Sequence, residues 1–164
     1  MGVGASKVSN FRTKTIDVDV ALTEAACAQN DVLSDFQAFV IESDLGGAAA
    51  INGTINYVMV IDKNDKGIQL DILFSDKQSA PVLGTDNDVV AISTADADTL
   101  IGRVDTGATY VDLIASQAVV PAAFSPIPFS TANGSLYVGV VNRGAETTWT
   151  DALGITLRLG LTIE

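Results

Sequence analysis

Two close pairs of aspartates, Asp86/Asp88 and Asp96/Asp98, are the first residues whose spacing suggests chemistry, because glycoside hydrolysis requires only two carboxylates. Both pairs sit in polar connecting stretches, where capping and solvation account for them. The run Asp62-Lys63-Asn64-Asp65-Lys66-Gly67 opens like a calcium loop, with Asp, Asn and Gly at its first, third and sixth positions. It then departs from the pattern: Lys66 holds the fifth position, Leu73 the twelfth, and strand-like rather than helical patterns flank it. Turn chemistry is the better account. The chain has no histidine and a single cysteine, Cys27. Those two facts remove Ser/His/Asp and Cys/His nucleophile systems, histidine-based zinc or iron sites, thiolate clusters and any internal disulfide. Cys27 is expected as a small buried hydrophobe. No glycine-rich loop joins a strand to a helix in phosphate-binding fashion. The residues point to a protein that is not an enzyme and carries no cofactor and no metal.

Charge offers a different chemistry. Twenty acidic residues against nine basic ones give a formal charge of −11, which opposes binding to a nucleic-acid backbone. Lys7, Arg12 and Lys14 all precede Asp17, the first acidic residue, so the rest of the chain carries six basic residues and a formal −14. Residues 1–14 therefore read as a flexible cationic N-terminal arm, and 15–164 as a single domain. Such an arm suits docking on an acidic neighbouring subunit, with electrostatics setting register and encounter rate. Trp149, the one tryptophan, follows the turn Asn142-Arg143-Gly144. Trp and Arg are frequent anchors of protein contacts, so Arg143 and Trp149 join Lys7, Arg12 and Lys14 as candidate subunit-contact residues, with core packing the competing reading for Trp149. Gly2 with Ser6 fits an N-myristoylation pattern, and Asn52-Gly53-Thr54 and Asn133-Gly134-Ser135 fit glycosylation sequons. A short flexible terminus and Asn-Gly turns explain all three more simply.

The elements that would position these residues are strands. Ile55–Asp76 holds two apolar runs, Tyr57–Ile61 and Ile68–Phe74, around the polar turn at 62–67. The second run alternates, the first is apolar on both faces, and together they predict a hairpin whose first strand is central in a sheet. Thr15–Leu22 alternates with an acidic outer face, Val32–Ile41 reads as a strand, and Val89–Ile92 as a short one. Ser93–Gly102 is the one helix expected, about two turns long, with Ser93 or Thr94 as cap and Gly102 at its end. Tyr110–Val120 and Leu136–Val141 are further strands, the latter opened by Asn133-Gly134. Pro121–Phe129 holds three of the four prolines and belongs at an edge or in a crossover. Ile155, Leu157, Leu159, Leu161 and Ile163 form the clearest alternation in the chain. About eight mostly antiparallel strands with one short helix imply an all-β, antiparallel β-sandwich, jelly-roll-like. At 164 residues the chain is long enough for one core burying roughly 70% of its unfolded surface. No apolar run approaches the ~18 residues of a membrane span, and the start lacks a secretory h-region, so no membrane partner is expected.

Ile16–Leu33, Ile55–Asp76, Ile92–Val104 and Leu136–Leu161 together resemble a group of small structural proteins of tailed bacteriophages, some of them capsid decoration (cement) proteins. The similarity covers most of the chain from Thr15 onward and lies in strand patterns, the Asn142-Arg143-Gly144 turn and the closing leucine/glycine strand. The N-terminal arm departs from it. The resemblance implies a virion structural protein on the capsid exterior, partnered by the major capsid protein and by itself as a homotrimer. A tail or neck component of the same particle fits the pattern too, and a jelly-roll carbohydrate-binding module is the alternative outside it.

Overall fold

A strand that alternates as cleanly as the chain's C-terminal one must bury one face, and two stacked antiparallel sheets provide that. The structure, a computed structural model, describes residues 12–22, 24–41, 50–77, 81–113, 116–119, 121 and 124–164. Its elements in chain order are β1 (Arg12–Val20), β2 (Ala26–Cys27), β3 (Val32–Val40), β4 (Ile51–Asp62), β5 (Leu70–Ser75), α1 (Thr94–Ala97), β6 (Leu100–Asp105), β7 (Val111–Asp112), β8 (Gln117–Val119), β9 (Ile127–Thr131), β10 (Ser135–Asn142), β11 (Thr147–Thr148) and β12 (Ile155–Ile163).

The first sheet runs β1-β12-β4; the far edge of β4 is shared by β9 and β8, with β7 outside β8. The second sheet runs β3-β10-β5-β6. Setting aside the two- and three-residue strands, eight remain, ordered first-eighth-third-sixth in one sheet and second-seventh-fourth-fifth in the other. That order is the double-sheet jelly roll. Between the sheets, Val58, Val60, Leu157 and Leu159 meet Ile72, Phe74, Leu136 and Val138, all fully buried. Each such side chain stabilises the fold by about 1.5–3 kcal/mol relative to an exposed one.

A bulge in β4 explains why its sequence is apolar on both faces. Gly160 pairs with Tyr57 but Leu161 with Ile55, so Asn56 is an extra residue and the strand changes parity there. Ile51 and Ile55 point inward before it, Val58 and Val60 after it, which leaves Tyr57, Met59 and Ile61 on the outer face, half-buried.

Five expectations are corrected. The hairpin over Ile55–Asp76 does not form: β4 lies in the first sheet and β5 in the second, so the intervening turn is a crossover. β12 takes β4 along its whole length and β10 takes β5. The crossover is held by Asp62, whose buried carboxylate accepts N–H bonds from Asn64, Lys66 and Gly67 at 2.9, 2.7 and 2.8 Å. Gly67 takes the expected positive φ, 60°. The helix is a single turn: Ser93 caps it, accepting from the Asp96 N–H at 3.1 Å, but Leu100 and Gly102 are drawn into β6 by pairing with Ser75 and Phe74 of β5. Val89 makes only an isolated bridge to Asp31, and Tyr110–Val120 breaks into β7 and β8. Finally, β1 begins at Arg12, paired to Ile163, so Arg12, Thr13 and Lys14 belong to a sheet and not to an arm.

Candidate functional site

In each acidic pair the structure gives one aspartate a local partner for its carboxylate. Asp96 Oδ2 accepts from the Ser93 hydroxyl at 2.8 Å, Asp98 caps the end of α1, and Asp86 Oδ1 accepts the Asp35 N–H at 3.0 Å. No group of three or more His, Cys, Asp or Glu side chains is placed to hold a metal ion among the described residues.

Of the five sequence-predicted contact residues, Lys7 lies outside the described residues. Arg12 is exposed at the start of β1, and Lys14 donates to the Ile41 carbonyl at 2.6 Å, tying β1 to the end of β3. Trp149 is 1% exposed in the main core, so it cannot anchor a partner: the indole fills the sandwich, which is what its size favours once the small ribbon β2–β11 lies beside it. Arg143 is half-buried and already engaged. Its Nε lies 2.5 Å from Asp71 Oδ2 and its Nη1 2.7 Å from Asn30 Oδ1. Arg103 Nη2 sits 2.7 Å from Asp71 Oδ1, and this carboxylate beside it raises the Arg103 pKa further. Two of the three arginines after Asp17 thus converge on one buried acid. Beside them, Asn142 is fully buried and donates from Nδ2 to the Cys27 and Ala28 carbonyls at 2.9 and 3.0 Å, so the Asn142-Arg143-Gly144 turn stitches β10 to the β2 ribbon. This cluster is structural.

The two sheets differ in what covers them. Over the second, residues 81–92 form a lid: Leu83 is fully buried against Val32, Phe36, Tyr137 and Val141, and Asp35 Oδ1 accepts its N–H at 2.8 Å. The first sheet turns its outer face to solvent among the described residues. Asp17 and Arg158, directly opposite in register, are joined by two bonds of 2.8 Å, which hold the Asp17 carboxyl below its ordinary range. Asp19 is likewise lowered, by the Thr156 hydroxyl at 2.5 Å and then by Lys63 at 2.9 Å. Beside these fixed charges Met59, Ile61, Val111, Leu113 and Arg158 line a mostly apolar hollow of about 520 Å³. Val111 and Leu113 are 65% and 50% exposed. A second, more polar hollow of about 220 Å³ lies over Gly160, between Thr13, Thr15, Asn56 and Thr162. The groove was not anticipated from sequence. Its signal was there in Tyr57–Ile61, apolar on both faces, whose outer side chains Met59 and Ile61 line the hollow.

No protein-family profile matches the chain, and no curated protein does either. Among solved structures the chain is similar to one from Israeli acute paralysis virus, a full particle heated to 63 degrees, with 10% identity over 93% of this chain and 70% of that one at a TM-score of 0.29. It is also similar to chains of the native Kashmir bee virus virion at acidic pH (11% identity, 93% and 71% covered, TM-score 0.32) and at neutral pH (13%, 93% and 70%, 0.31). Likeness of this degree bears on neither the role nor the partners of the chain.

Proposed function

We propose that this chain is a virion structural protein of a tailed bacteriophage, a capsid decoration (cement) protein that sits on the head exterior, contacts the major capsid protein and assembles as a homotrimer. The observation that supports it best is the one-sided jelly roll: a sandwich whose second sheet is lidded while its first presents an exposed face with ion pairs and an apolar groove. Such a face suits subunit contacts, and jelly rolls recur in capsid domains. The strand-pattern resemblance to phage structural proteins agrees with it. Because the fold also serves lectins, the site must decide, and the one tryptophan that could have been a sugar platform is buried.

The deciding experiment is the copy number of this chain relative to the shell protein in purified particles, by quantitative mass spectrometry. Hundreds of copies near parity with the shell are expected. A few to a few dozen would move the chain to the tail, neck or vertices. Absence from particles would overturn the virion reading and restore the carbohydrate-binding alternative, with a glycan array as its test.

A further inference from the structure

Asn52-Gly53 and Asn133-Gly134 are the two Asn-Gly sequences of the chain. A glycine after asparagine removes the Cβ that keeps the next backbone nitrogen away from the side-chain amide carbon, so both can in principle close a five-membered ring. The fold treats them oppositely. Gly53 lies inside β4, paired with Ile163 on one side and Phe129 on the other. The Asn52 carbonyl accepts the Glu164 N–H at 3.0 Å, and its Oδ1 accepts the Ser130 hydroxyl at 2.7 Å. Ring closure there would have to turn the 52–53 peptide out of two ladders.

Asn133 and Gly134 stand instead in the turn between β9 and β10, outside either strand. Gly134 takes a positive φ, 73°. It is buried, with its carbonyl accepting the Ile41 N–H at 2.9 Å, but its own N–H makes no hydrogen bond among the described residues. The Asn133 side chain folds along the peptide that follows it: Oδ1 accepts the Ser135 N–H at 3.1 Å and the Thr131 hydroxyl at 2.9 Å. Two donors on Oδ1 draw charge from Cγ. Nδ2, the group that must leave, makes no hydrogen bond among the described residues.

We propose that Asn133 is a site of spontaneous deamidation. The Gly134 nitrogen loses its proton to hydroxide and attacks Asn133 Cγ. The Cγ–Nδ2 bond breaks, and Nδ2 leaves as ammonia after taking a proton from water. Water then opens the resulting succinimide at either carbonyl, giving aspartate or isoaspartate at this position. Ala132 is exposed and Asn133 half-buried, which admits that water. Either product places a new carboxylate in the turn. Isoaspartate also lengthens the backbone by a methylene just before Ser135, which opens the β10–β3 ladder opposite Val40.

Peptide mapping by mass spectrometry tests this on the native full chain held at mildly alkaline pH, with fragmentation that separates aspartate from isoaspartate. Asn133 should convert about tenfold faster than Asn52 or more, because Asn52 must first open an interior strand, whereas in urea the two should convert at like rates. An Asn133→Gln chain should lose the product at this position and leave the behaviour of Asn52 unchanged. Conversion of Asn133 no faster than that of Asn52 in the native chain would overturn the proposal, as would none before unfolding. A ratio as large in urea as in the native protein would overturn it too, by assigning the difference to flanking sequence and not to the fold.

Discussion

Arg143 and Asp71 form the most buried ion pair on the second sheet: Nε lies 2.5 Å from Oδ2, the Asp71 side chain is wholly buried and Arg143 keeps 35% of its side chain exposed. That asymmetry predicts unequal costs. Arg143→Met leaves the Asp71 carboxylate buried with Arg103 alone, and breaking a buried pair in this direction costs about 3 kcal/mol. Asp71→Asn leaves two guanidinium groups that can turn to water, so it should cost less than half as much. Urea denaturation of both variants checks this. Equal losses, or a loss below about 1 kcal/mol for Arg143→Met, would show that water reaches Asp71.

How far the sequence carried follows from where alternation is decided locally. β1 and β12 were legible because alternate residues turn to the core, so their polarity has period two, whereas β10, buried on both faces, was legible as an apolar run opened by Asn133-Gly134. Partnership was not legible. β4 and β5 looked like a hairpin because they are adjacent, yet β12, almost a hundred residues later, competes for β4 and wins by its length of pairing. β6 was hidden because Ser93 does cap a helical turn, and nothing in Leu100–Asp105 says where that turn ends. The surroundings of Arg143 and Trp149 were illegible for a related reason: they depend on Asp71 and on the β2 ribbon, both distant in sequence.

Gly53 marks a place where the two edges of β4 press together. A Cβ there would lie 2.6 Å from Phe129 Cζ and closer still to the Thr162 carbonyl oxygen. Gly53→Ala should therefore destabilise by about 1–3 kcal/mol, the usual cost of overpacking. Adding Phe129→Leu should not recover it, because the nearer obstacle is backbone. Recovery in the double variant, measured by thermal unfolding, would assign the strain to the ring instead.

Trp149 is the only tryptophan, so its fluorescence reports one site. Being 1% exposed, it should emit at short wavelength, resist acrylamide and shift red on unfolding. Its indole N–H has no hydrogen-bond partner among the described residues. Trp149→Phe should thus lose little, because the unpaired donor goes with the ring's excess volume, whereas Trp149→Ala should cost about 3–5 kcal/mol. Ready quenching in the native protein would contradict the placement.

Burial pushes the Cys27 thiol up from 9.0 to about 11, with Asp31 adding to it, and pushes the Tyr110 hydroxyl up from 10.0 to about 12. In the unfolded chain both ionise earlier, so the unfolded state loses protons first as pH rises. Their contribution is complete below pH 9, falls between about 9 and 11 for Cys27, and between about 10 and 12 for Tyr110. Stability measured by denaturant across this range should decline with pH. Cys27→Ala should flatten the decline between pH 9 and 11 while leaving the steeper part above it. Superimposable slopes for the two proteins would mean that Cys27 is reached by solvent. A thiol reagent should give the same answer, with Cys27 unreactive at neutral pH until the chain unfolds.

β12 lies between β1 and β4 and pairs with both along its length, so the C-terminal strand is an interior strand of the first sheet. Leu159, Leu161 and Ile163 fill the core from it, and the Glu164 N–H still reaches the Asn52 carbonyl at 3.0 Å. Deleting residues 159–164 would strip the ladder from half of β1 and from the start of β4, and would remove three buried side chains worth about 1.5–3 kcal/mol each. That loss rivals the whole stability of a domain this size, about 5–15 kcal/mol. The shortened chain should be insoluble or lack a cooperative melt, whereas removing residues 2–11 at the other end should keep one. A cooperative melt at an unchanged temperature after the C-terminal deletion would refute the placement of β12 between β1 and β4.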